Sequence, residues 1–140
     1  MKKSIIIWIV SVLCAVVLIW LLFNYYNSPH KLYVNRVKEI KIVSFTTLPT
    51  VTLNAEETVK FIELFNSASY EGKTTGEGGT PDWTVFVFYQ DGSNLNISEF
   101  GSAGSKCEVE MHNKNLFEKS GYYVSSAELR AFILEMQNKK

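Results

Sequence analysis

Three side chains with metal-binding or acid–base chemistry, Glu108, Glu110 and His112, occupy alternate positions. Two-residue alternation along a strand turns all three to one face. They would stand about 6.8 Å apart along the chain. Ligands of one ion converge at about 2.0–2.2 Å from it, so other segments would have to contribute. An enzyme site assembled from Glu108, His112 and the distant Asp82 is the catalytic version of this reading. The spacing itself predicts a solvated sheet face or edge. Cys107 alternates with Val109 and Met111, which makes it a small core residue rather than a nucleophile.

Gly72-Lys73-Thr74 has the residue types that end a phosphate-binding loop. That motif needs a glycine five residues ahead of Gly72, where Ser67 stands, and it must follow a strand and open a helix. Gly76-Glu77-Gly78-Gly79 fails the dinucleotide pattern for the same contextual reasons. Gly72, Lys73, Gly76, Gly78 and Gly79 are therefore expected in a mobile binding loop. No Gly-x-Ser-x-Gly elbow, Cys-x-x-Cys pair or His-Glu-x-x-His sequence occurs. Asn96-Ile97-Ser98 meets the glycosylation sequon but falls in an expected strand. The chain is read as non-enzymatic, without a metal or a cofactor.

The elements that would carry these residues form an α+β pattern. Residues 39–45 and 51–53 predict strands around a Pro49 turn. Asn54 with Glu57 predicts a capping box, opening a helix to about Asn66 that buries Val59, Phe61, Ile62 and Phe65. Residues 69–82 hold four glycines and no apolar period, which predicts a 14-residue loop.

Residues 83–98 predict a hairpin, with Asp91-Gly92 as a two-residue turn. That loop length pairs Gln90 with Ser93, Phe88 with Leu95 and Phe86 with Ile97 on one apolar face. The other face then carries Trp83, Val85, Val87 and Tyr89 beside Asn94, Asn96 and Ser98. If helices cover the phenylalanine face, Trp83, Val85, Val87, Tyr89, Asn94 and Asn96 form a candidate partner surface of apolar area rimmed by amides. A second hairpin turns at 113–115 and returns through Leu116-Phe117 and residues 122–124. Ser125 with Glu128 opens a last helix burying Leu129, Phe132, Ile133 and Met136. The expected order is β-β-α-β-β-β-β-α, a small antiparallel sheet with two helices packed on one face.

Ahead of this domain, residues 5–23 are apolar but for Ser11. As a helix they span about 28 Å, the thickness of a bilayer core. Lys2 and Lys3 precede the run, and Trp20, Tyr25 and Tyr26 flank its far end. No small-residue cleavage site follows, and Leu13 before Cys14 spoils a lipobox. Residues 1–23 are read as an uncleaved anchor contacting the lipid bilayer, 24–36 as a stalk that includes His30, and 37–140 as the domain. The adjacency of Lys2 and Lys3 to the run favours an extracytoplasmic domain on a single-pass cell-membrane anchor.

The formal charge is zero over 140 residues, with 14 basic and 14 acidic groups, 46% hydrophobic and 14% aromatic residues. This excludes a disordered chain and a general nucleic-acid binder. Two cysteines, Cys14 inside the apolar run and Cys107 outside it, exclude a disulfide scaffold and fit a bacterial envelope.

The run Glu39-Ile40-Lys41-Ile42, the helix from Glu56 to Asn66, and Pro81-Asp82-Trp83 leading to Asp91-Gly92 together resemble small membrane-anchored domains of unknown function from Gram-positive bacteria. The resemblance covers the layout of roughly residues 37–136. It implies a surface location and no known catalytic residues. The leading expectation is a tethered binding module with a protein or envelope partner. An immunity or inhibitor protein against an envelope-directed toxin is the rival, and a second copy of the chain is an alternative cover for the aromatic row.

Overall fold

The computed structural model describes residues 2–27, 30–45, 49–74, 79–100, 106–112 and 121–139. The apolar run forms helix α1 (Lys2–Asn27). Its Ser4–Asn24 portion is long and apolar enough to cross a membrane, and no part of that window is buried against the protein.

The rest is an α+β unit: β1 (Val37–Ser44), β2 (Val51–Thr52), α2 (Ala55–Ser67), β3 (Ser69–Lys73), β4 (Trp83–Tyr89), β5 (Asn94–Glu99), β6 (Lys106–His112), β7 (Tyr122–Ser125) and α3 (Ala127–Asn138). The strands make one antiparallel sheet in the order β2-β1-β4-β5-β6-β7-β3. The architecture is the one expected, with one strand more. Residues 69–73, expected within a loop, form edge strand β3 against β7. A bulge between Tyr70 and Lys73 accommodates Gly72, whose φ of +104° is natural only for glycine. Backbone pairing at an edge needs no apolar alternation, which is why β3 left no periodic signal.

The start of α2 is set locally. Asn54 Oδ1 accepts from the Glu57 amide, and Glu57 Oε2 accepts from the Asn54 amide, each at 2.9 Å. Phe61, Ile62 and Phe65 are buried, while Val59, expected in the core, is exposed. In α3 the cap is Ser126, not Ser125: its Oγ accepts from the Leu129 amide at 3.1 Å. Leu129, Phe132, Ile133 and Met136 are all buried. These two helix faces pack on the sheet face carrying Ile40, Ile42, Val85, Val87, Leu95, Ile97 and Val109.

Residues 30–36, expected as a stalk, lie against this unit as a strap. Leu32 is only 1% exposed and belongs to the core. Asn66, near the end of α2, holds the Leu32 backbone at both polar groups: Oδ1 accepts from its amide at 2.8 Å and Nδ2 donates to its carbonyl at 2.9 Å. The His30 amide donates to Tyr122 Oη at 2.8 Å, and the two rings stack. At the other end of the strap, the Gln90 amide donates to the Arg36 carbonyl at 3.0 Å.

Candidate functional site

The β4–β5 hairpin decides which side chains the sheet presents. Its loop has three residues, not two. The Gly92 amide donates to the Tyr89 carbonyl and the Tyr89 amide donates to the Ser93 carbonyl, at 3.1 and 3.0 Å. Gly92 has φ +85°, as in a three-residue loop that closes with a left-handed residue. Asp91 Oδ1 accepts from the amide and hydroxyl of Ser93, which fixes the corner and lowers the Asp91 pKa.

The extra loop residue slips the register by one. Phe88 faces Asn94, Val87 faces Leu95, Phe86 faces Asn96 and Val85 faces Ile97. Both faces of β4 are apolar in sequence, so β4 alone did not distinguish them. A one-residue slip exchanges the faces completely.

The expected partner row is corrected accordingly. Val85 and Val87 are 0% exposed under the helices, Trp83 is buried with them, and Tyr89 packs against the same core. Burial raises the pKa of the Tyr89 hydroxyl. Asn94 and Asn96 lie on the opposite face, half-buried, with Asn94 Nδ2 donating to Asn96 Oδ1 at 2.7 Å. Their aromatic neighbours there are Phe86 and Phe88, stacked with ring centroids 6.2 Å apart. The aromatic-and-amide combination therefore exists, but with two phenylalanines in place of the tryptophan and valines.

This second face reads as three rungs across the sheet. One runs Glu39, Phe88, Asn94, His112; the next Lys41, Phe86, Asn96, Glu110; the third Val43, Thr84, Ser98, Glu108, Tyr123. Neither α2 nor α3 covers it, because both lie on the other side. Lys41 pairs with Glu39 at 2.9 Å and stands 5.7 Å from the Phe88 ring centroid. Thr84 and Ser98 share a hydroxyl hydrogen bond of 2.8 Å.

The remaining candidates do not converge. Glu108, expected to be solvated, is buried, and its Oε1 accepts from the Thr74 hydroxyl. Glu110 and His112 are exposed, with Glu110 Oε2 and His112 Nε2 3.9 Å apart. Asp82 precedes β4 at the far end, about 20 Å along the strands from the His112 rung. Among the described residues, no group of three or more His, Cys, Asp or Glu side chains is placed to hold a metal ion. Cys107 is buried; burial and then the Glu99 carboxylate push its thiol up to about 12. Of the glycine loop, Gly72 and Lys73 belong to β3, Gly79 is exposed, and Gly76 and Gly78 lie outside the described residues.

Glu99 was not singled out by sequence. It is 2% exposed, sits on the core face between Trp83 and Cys107, and accepts from Arg130 Nε at 2.5 Å. The carboxylate also raises the Arg130 pKa. The signal available was its place in the inward phase of β5, two residues beyond Ile97. Its role is that of a charge built into the end of the core. Compared with known protein families, curated proteins and solved structures, the chain matches none.

Proposed function

We propose that the chain is a non-enzymatic binding module, tethered to a membrane by α1, whose helix-free sheet face meets a protein or envelope partner. The topology in this reading puts the domain on the outer side of a bacterial cytoplasmic membrane. The observation that carries it is the face itself. Phe86 and Phe88 offer stacked apolar area at the centre of the sheet, and Asn94, Asn96, Lys41 and Glu110 ring it with donors and acceptors. Apolar area with a polar rim is how protein interfaces combine affinity with orientation. Antiparallel sheets commonly turn a polar face to solvent on the side that no helix covers, so two phenylalanines there are a departure that a binding role accounts for.

The test is site-specific crosslinking. A photoreactive residue replacing Asn96 in the full chain should capture a discrete partner in cell membranes, and Phe86→Ser with Phe88→Ser should abolish capture while the fold persists. Persistent capture without the two rings would refute the assignment of this face. Sidedness is tested separately, with Asp82→Cys in a Cys14→Ala background and a membrane-impermeant thiol reagent. Labelling only after lysis would place the domain in the cytoplasm.

A further inference from the structure

The strap constrains how far the domain can stand from the membrane. The span candidate ends at Asn24, and α1 continues three residues to Asn27, adding about 4.5 Å at helical rise. From Asn27 to His30 there are three Cα steps, at most about 11 Å fully extended. At His30 the chain is already fastened, by its amide to Tyr122 Oη, and two residues later Leu32 is locked into the core by Asn66. The attachment point thus lies within about 15 Å of the hydrocarbon, whereas the headgroup layer alone occupies roughly 5–8 Å per side. A stalk of the length expected from sequence would have allowed several nanometres.

The surface at this attachment has a lipid-facing composition. Tyr33 and Val34 are 54% and 51% exposed, at the outer turn of the strap. Lys31, Arg36 and Lys38 are exposed around them, and Arg36 lies over the Tyr33 ring at 5.7 Å. Two acidic groups at this end of the sheet are already engaged: Asp91 by Ser93, and Glu39 by Lys41 at 2.9 Å. An aromatic ring, an aliphatic side chain and flanking cations suit the boundary between acyl chains and anionic headgroups. We infer that residues 31–36 seat the domain on the bilayer that holds α1, with Tyr33 and Val34 entering the headgroup region. The inference rests on the anchoring proposed above but not on which side the domain occupies. Its consequence is orientation: with the strap end against the lipid, the strands stand away from the membrane and the Phe86/Phe88 face opens sideways.

Depth measurement by spin-label accessibility in the full chain tests this. The protein is reconstituted in vesicles of phosphatidylcholine and phosphatidylglycerol, in a Cys14→Ala background, with one added cysteine at a time: Val16→Cys, Val34→Cys or Lys106→Cys. Lys106 begins β6 at the opposite end of the sheet. The expected result is a deeply buried label at 16, an aqueous label at 106, and a label at 34 with several-fold lower collision with a water-soluble nickel complex than that at 106. Asn66→Ala with Leu32→Ala should return the label at 34 toward the aqueous value. A buried label at 16 with an aqueous label at 34 would overturn the seating and leave the anchor standing. An aqueous label at 16 would overturn the anchor and the seating together.

Discussion

Adjacent residues on β4 should lose stability very unequally to one substitution, Val87→Asn and Phe86→Asn. Val87 is fully enclosed between Ile40 and Leu95 beneath the helices. Replacing it removes two methyl groups from the core, about 1.6 kcal/mol at about 0.8 kcal/mol each. It also places an amide where the neighbours are apolar, at a further cost of about 1–3 kcal/mol. The total of about 3–5 kcal/mol is a large part of the about 5–15 kcal/mol typical of a domain. Phe86 lies half-buried on the helix-free face, where an amide can reach water and neighbours Asn96. Its loss should cost about 1–2 kcal/mol, mostly from the stacking with Phe88. The assay is urea unfolding of the full chain in nanodiscs, followed by Trp83 fluorescence with Trp8 and Trp20 replaced by Phe. At a slope of about 1–3 kcal/mol/M, the two midpoints should differ by about 1 M. A two-residue turn at Asp91-Gly92 would reverse the order. Equal losses, or a larger loss at Phe86, would refute the register and with it the assignment of the helix-free face.

Four further outcomes follow from particular contacts. Arg130→Ala leaves the Glu99 carboxylate buried without its cation and should cost about 2–3 kcal/mol in chemical denaturation, below the about 3–5 of a wholly buried pair because Arg130 is 44% exposed; Glu99→Leu in the same chain should recover most of it. Gly92→Ala forces a Cβ into positive φ and should cost about 1–2 kcal/mol. Cys107, with its thiol pushed up to about 12, should react with a thiol reagent at pH 8 only as fast as the domain unfolds, in a Cys14→Ala chain. Glu57 is held below the ordinary carboxylate value of 4.5, first by its hydrogen bond from Lys139 and then by the Asn54 amide. Its contribution is therefore present above pH 4.5 and lost as pH falls through the lowered value. Glu57→Gln should flatten the decline of the urea midpoint between pH 5 and 3.

The sequence carried the architecture well where burial is periodic. The inward residues of α3, the capping box at Asn54 and the alternation of Cys107, Val109 and Met111 all express a local pattern that packing then uses. It failed where the deciding quantity was not periodic. One residue of loop length exchanged the faces of β4, because Trp83, Val85 and Val87 are no less apolar than Phe86 and Phe88. Edge strand β3 depends on pairing with β7, a partner about fifty residues away. The strap was hidden for a related reason: Leu32-Tyr33-Val34 is too short to show a period, and only Leu32 is buried, its backbone held by Asn66 on another element. Of the proposed face, the sequence pattern marked Asn94 and Asn96 but paired them with the wrong side of β4.

The two outer strands bear on how copies of this chain coexist. A tether that confines molecules to a plane raises their mutual concentration and lets sheet edges meet repeatedly. An open edge is a template for adding a strand from a neighbour. Here one boundary strand is two residues long and the other is interrupted at Gly72, with Glu71 and Lys73 exposed on either side. Short length, a kink and mixed charge each discourage edge-to-edge pairing. The same chain can therefore be crowded on a surface without its edges competing with the central sheet face, the binding face proposed above.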